Sequence, residues 1–117
     1  MPTSSFKKYF QQSVGTANTL VYNPTASGIQ STVIGMSVAN RISNAIAISV
    51  TFSQGANSAS AGSNTVYIVK DAIVPPGSSI ITIGGDQKIV LEANDFIEVS
   101  SNSAASADVL LSVLELT

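Results

Sequence analysis

Apolar and polar residues alternate with a period of two along much of this chain. Ile46, Ile48, Val50 and Phe52 interleave with Ala47, Ser49 and Thr51, and Ile34, Met36 and Val38 interleave with Gly35, Ser37 and Ala39. Successive side chains of a strand point to opposite faces, so each segment predicts a strand with one apolar face and one small, polar face. Val66–Val69 is β-branched and aromatic throughout. Ser79–Ile83, Lys88–Leu91, Phe96–Ser100 and Asp108–Leu116 extend the series, and Thr19–Tyr22 predicts a further short strand. No segment shows a helical period.

Turn-forming residues separate these runs: Asn23-Pro24 through Gly28, Asn40 through Asn44, Pro75-Pro76-Gly77, Gly84-Gly85-Asp86 and Glu92 through Asp95. Pro presets φ, while Gly and Asn accept positive φ, so these positions reverse the chain at little cost. Strands separated by turns every ~8–12 residues predict an all-β fold, a single antiparallel β-sandwich of about eight strands. Jelly-roll and immunoglobulin-like strand orders fit this spacing equally well. The division read from the sequence is an N-terminal arm or first strand over 1–15, followed by one sandwich domain over 16–117. The longest turn segment, Ser53–Asn64, contains no residue larger than Gln. It reads either as a loose hairpin tip or as a contact loop that orders against a partner.

The last strand breaks the alternation. Val109, Leu111 and Val113 share one face, while Leu110, Leu114 and Leu116 share the other. A strand apolar on both sides is expected to be buried on both. The cover comes either from elsewhere in this chain or from another subunit, and with no helix to supply it the subunit is the expected source. At the other end of the chain, Phe6, Tyr9 and Phe10 mark the N-terminal segment as a docking arm, or else they close one end of the sandwich. The candidate interface residues are therefore Phe6, Tyr9, Phe10, Leu110, Leu114 and Leu116.

Composition sharpens the functional reading. The 117 residues include no His, Cys or Trp, and only five basic and seven acidic side chains. General acid–base chemistry usually relies on His, and thiolate chemistry and common zinc sites on Cys or His, so an enzyme is not expected. No cofactor and no metal site are expected either. Glu92, Asp95, Glu98 and Asp86 are the densest carboxylates, and flanking a turn they read as backbone caps, with no EF-type calcium spacing. Gly84-Gly85-Asp86 lacks the following helix and lysine of a phosphate loop and reads as a hairpin turn. The net charge of −2, with Lys7-Lys8 the one basic cluster, argues against nucleic-acid binding. No run approaches the ~18 apolar residues that cross a bilayer, and no secretory signal is read at the N-terminus. A surface of Ser, Thr, Asn and Gly carries little like-charge repulsion and is poorly protected against association. Such a surface reads either as that of a soluble monomer or, more sharply, as that of a subunit largely covered by copies of itself or by partners. The tyrosines Tyr9, Tyr22 and Tyr67 are expected at the core edge.

From Val74 onward the chain reads VPPGSSIITIGGDQKIVLEANDFIEVSSNSAASADVLLSVLEL. It resembles small virion structural proteins of tailed bacteriophages. Their C-terminal halves run through a proline–glycine turn, a short strand, GGDQK, a VLEAGD-like turn, I-x-V-x-S and a final apolar strand. The resemblance extends over residues 30–117, with Asn94 at the commoner glycine place of the turn. It implies a non-enzymatic β-sandwich in a virion, as a head decoration, neck, tail or baseplate component, assembling as a homo-oligomer and with other virion proteins such as major capsid or tail proteins. The alternative is a carbohydrate-binding module on a tail or surface structure, with Tyr67 or the 53–64 loop at its site.

Overall fold

A computed structural model describes residues 4–23, 30–53, 65–84, 88–92 and 95–116. These form nine strands: β1 (Ser4–Val14), β2 (Thr19–Tyr22), β3 (Gln30–Asn40), β4 (Ile46–Ser53), β5 (Thr65–Val74), β6 (Ser79–Ile83), β7 (Ile89–Leu91), β8 (Phe96–Ser101) and β9 (Ala107–Leu116). The expected all-β sandwich is present, and the described residues contain no helix. The N-terminal segment contributes a regular strand to it.

The strands pair as a folded ribbon. β1 pairs with β9, β2 with β8, β3 with β6 and β7, and β4 with β5, each pair antiparallel. Two further ladders, β3 with β9 and β4 with β8, roll the ribbon into sheets. The results are a five-stranded sheet in the order β1-β9-β3-β6, with β7 also on β3, and a four-stranded sheet β2-β8-β4-β5. First strand against last, and second against next to last, is the jelly-roll arrangement, so the two strand orders left open by turn spacing are now resolved.

The core lies between the sheets. Val33, Met36 and Val38 of β3 and Val109, Leu111 and Val113 of β9 face Ile46, Ile48 and Val50 of β4 and Ile97 and Val99 of β8. Two sequence expectations change here. Ile34 was expected on the inner face with Met36 and Val38, yet Val33 is fully buried and Ile34 half-buried. The register between β3 and β9 slips between Val33 and Gly35, and this bulge reverses the inward phase of the strand. The second change concerns β9, which is buried on one face only. Its odd-numbered residues from Ala107 to Glu115 are buried, while Leu110 is 51 % and Leu116 44 % exposed and Leu114 is half-buried. The outer face of β9 has no cover from the described residues.

The turns behave as their chemistry dictates. The Ser78 amide donates to the Pro75 carbonyl at 3.1 Å, with Gly77 at φ 72 in the position that requires a left-handed backbone. Asn40 ties down the corner beside it. Its Nδ2 donates to the carbonyls of Asn44 (2.7 Å) and Val74 (3.0 Å), while its Oδ1 accepts from the Ile42 amide. Asp95 caps its turn as expected, its Oδ2 accepting from the Glu92 amide at 2.9 Å.

The phase of β9 is tested by two neighbouring truncations in dilute protein. Leu111→Ala empties a fully buried site and is expected to cost about 2–5 kcal/mol. Leu110→Ala, on the open face, is expected to cost less than about 1 kcal/mol. Urea unfolding measures both, and equal costs would contradict the observed phase.

Candidate protein interface

Side chains on the outer face of the five-stranded sheet follow from its registers. On β1, Phe6, Lys8 and Phe10 point outward, because their inward neighbours Lys7, Tyr9 and Gln11 stand beside the buried Val113, Leu111 and Val109. Phe6 pairs with Leu114, Phe10 with Leu110, and Ser4 with Leu116. On the other side of β9, Leu110 pairs with Ser37, Ser112 with Gly35, and Leu114 with Thr32. Ile81 of β6 stands beside Ser37, and Val90 of β7 beside Thr32.

Exposed apolar side chains recur across the width of this face, with Lys8 and several short polar residues between them. Phe6 is 78 % exposed, Ile81 75 % and Phe10 63 %, with Val90, Leu110 and Leu116 also open. Between these projections lie shallow hollows whose linings include short residues. One, of about 270 Å³, is lined by Gly35, Ser37, Ile81, Leu110 and Ser112. A second, of about 380 Å³, lies among Phe6, Lys8, Ile34 and Ser112, and a third, of about 410 Å³, among Phe10, Ser37, Ala39 and Leu110. Clusters of exposed large apolar side chains on one sheet face mark interaction surfaces more often than isolated ones do.

Five of the six candidate residues read from the sequence, Phe6, Phe10, Leu110, Leu114 and Leu116, share this face. The sixth does not. Tyr9 has the opposite parity on β1, so it turns inward and is half-buried. Its hydroxyl donates to Glu115 Oε2 at 2.7 Å, and the same oxygen accepts from the Tyr22 hydroxyl at 2.6 Å. Tyr22 in turn contacts Ser31 Oγ at 2.6 Å, and Lys7 Nζ lies 3.4 Å from Glu115 Oε1. The two phenol rings pack with centroids 4.6 Å apart and their planes tilted by 37°. This cluster clamps β1 to the sandwich by its inner side and so holds Phe6 and Phe10 outward. A second clamp holds the other end of β1, where the register slips between Gln11 and Val14 and Ser13 adopts φ 57. There Arg41 Nη1 reaches Ser13 Oγ at 2.6 Å and Asp108 Oδ1 at 3.1 Å.

Sequence reading missed Glu115, Ile81 and Val90. Glu115 shares the odd-numbered parity of Val109, Leu111 and Val113, and that parity was the available signal for a carboxylate turned inward. Tyr67, placed at the core edge by the sequence reading, is 57 % exposed, with the Lys70 ammonium 5.3 Å from its ring centroid. Residues 54–64 and Asp86 lie outside the described residues. Among the described residues no three His, Cys, Asp or Glu side chains form a group that could hold a metal ion.

The inner clamp makes stability depend on pH at both extremes. Burial alone would raise the Glu115 carboxyl, but the hydroxyls of Tyr22 and Tyr9 and the Lys7 ammonium outweigh it and hold the group below its ordinary 4.5. Burial and the neighbouring carboxylate push Tyr9 up to about 12, and Tyr22 is raised by the same causes. A carboxyl with a depressed pKa contributes stability that is present above its unfolded value and is lost as pH falls through its folded value. A phenol with a raised pKa contributes stability that is complete below pH 10 and is lost as pH rises toward 12. Chemical denaturation across pH is therefore expected to show a plateau between about pH 5 and 10 with a decline on each side. Glu115→Gln should flatten the acid decline and cost about 1–3 kcal/mol at pH 7, because Lys7, the buried Tyr22 hydroxyl and the half-buried Tyr9 hydroxyl lose a charged partner. An unchanged acid limb in that variant would contradict the assignment.

No family model matches the chain, and no curated protein does either. Among solved structures, it is similar to a chain of the Bacillus endospore appendages, which form a novel family of disulfide-linked pili. The TM-score is 0.52 at 13 % identity, and the match covers 100 % of this chain and 90 % of that one. The likeness at this identity is one of fold, a β-rich architecture shared end to end.

Proposed function

We propose that this chain is a non-enzymatic structural subunit that acts through protein–protein contacts within a larger particle. The observation that carries this reading is the open apolar face of the five-stranded sheet, where Phe6, Phe10, Ile81, Val90, Leu110 and Leu116 project together. Burying such side chains gains ~25 cal/mol per Å² before association costs, so a particle that repeats the contact by symmetry is well served by it. The buried carboxylate, Glu115, is locked by three partners, which suits it to hold a strand in place and leaves it poorly placed for proton transfer.

The pilus-forming neighbour supports a role in assembly. Its disulfide linkage has no counterpart here, because this chain has no cysteine. Cohesion would therefore come from non-covalent burial. The finer placement, as a decoration, neck, tail or baseplate subunit of a tailed-phage virion, rests on the resemblance of residues 30–117. In that setting the neighbours are copies of the chain and major capsid or tail proteins.

Point substitutions test this better than removal of the N-terminal segment. Losing β1 would bare the β9 edge and the Glu115 cluster and so damage the fold itself. Phe6→Asp is expected to fold with an unchanged circular dichroism spectrum yet fall at least tenfold in incorporation into purified particles, measured by immunoblot. Ile73→Asp, on the opposite sheet and 65 % exposed, is expected to incorporate normally. Normal incorporation of Phe6→Asp would refute the reading.

A further inference from the structure

We infer that the outer face of the five-stranded sheet pairs with the same face of a second copy of this chain, about a two-fold axis running along β9. The inference rests on the structural-subunit reading above and adds the partner and the register.

The size of the face is the first argument. β1 has 11 residues, about 36 Å at ~3.3 Å per residue, and four strands at ~4.8 Å add a width of about 19 Å. The resulting footprint of about 700 Å² is close to the ~800 Å² per partner of a stable standard interface.

Self-complementarity is the second argument, and it follows from the registers alone. A two-fold axis along β9 turns one face onto the other, keeps the level along the strands and exchanges the β1 side with the β3 side. Phe10 lies level with Leu110, and Leu110 with Ser37, so Phe10 of each copy falls on Ser37 of the other. Ser37 lies on the floor of the 270 Å³ hollow beside Ile81 and Gly35. Phe6 lies level with Leu114, and Leu114 with Thr32, so Phe6 falls on Thr32 beside Val90. Each projecting ring thus meets a short side chain flanked by an exposed apolar one. Leu110, Leu114 and Leu116 lie along the axis and meet their own counterparts. Lys8 lies level with Ser112 and Gly35, so it falls opposite the position that carries no side chain. Its stem has room there to carry the ammonium toward the sheet edge. The ~30° offset between packed twisted sheets displaces facing strands sideways by about half their distance from the point where they cross, so the Phe10–Ser37 pairing holds with the two β9 strands crossing near Leu110. An isologous contact of this kind closes on itself, because the same patch serves both partners.

The experiment uses light scattering and sedimentation on the full chain and on charge-swap variants at this level. The wild-type chain is expected to be a dimer. Phe10→Lys and Ser37→Glu are each expected to weaken self-association at least tenfold, while both keep the circular dichroism spectrum of the wild type and melt cooperatively at the lower temperature of an undimerised chain. Mixed in equal amounts, the two variants should recover a dimer, because one Phe10–Ser37 contact stays native and the other becomes a Lys–Glu pair. That recovered dimer should weaken at high salt. Ile73→Lys, on the other sheet, should remain dimeric. A wild-type chain that stays monomeric, single variants that still dimerise, or a mixture that stays monomeric would each overturn the inference. A monomeric chain whose Phe6→Asp variant still loses incorporation would overturn the second copy as partner while leaving the structural-subunit reading intact.

Discussion

The fold depends on β9 being paired along both edges while it is buried on one face. It is the last strand in sequence, yet it lies between the first strand and the third. Its inward residues Val109, Leu111 and Val113 form the middle of one core wall. Because both edges are engaged, its register is fixed from two sides, and a slip of one residue would turn the whole apolar set outward. The inner wall, the seating of β1 and the composition of the outer face all follow from that single phase.

Glu115 extends the same phase with a different chemistry. At the end of the inward row the apolar series gives way to a carboxylate, which buries at the cost of desolvation unless donors meet it. Two phenols and an ammonium do so. Tyr9 and Lys7 belong to β1 and Tyr22 to β2, so the cluster joins both sheets through one side chain. An edge strand with few buried apolar residues gains an anchor in this way. Its outward residues Phe6 and Phe10 are then held at defined levels, as a specific contact requires.

The outer face shows how a protein with little charge can carry specificity. Its projections are apolar and its hollows are floored by Gly35, Ser37, Ala39 and Ser112, so shape and register distinguish partners more than charge does. The bulge at Ile34, between Val33 and Gly35, contributes to both sides of this arrangement. It sends Val33 into the core and turns Ile34 toward the hollow beside Phe6.

Much of the architecture was legible in the residues themselves. Alternation with a period of two, β-branched runs, the Pro76-Gly77 turn and the Asp95 cap are local properties, and they determined an all-β sandwich. The scarcity of titratable groups was equally plain, as was the presence of apolar residues on both sides of the last strand. The phase of β4 was local, with Ile46, Ile48 and Val50 inward as their alternation predicts, but that of β3 and the depth of burial of β9 were not. Val33 and Ile34 are equally apolar, and only pairing with β9 across a bulge chose which one faces inward. The outer leucines of β9 could not be distinguished from core leucines until the sheet packed on one side of them. The cluster of Tyr9, Tyr22 and Glu115 joins residues 106 and 93 positions apart. Such contacts arise only when the ribbon rolls and brings the first strands against the last, because alternation along a chain encodes a strand's period but not its neighbours.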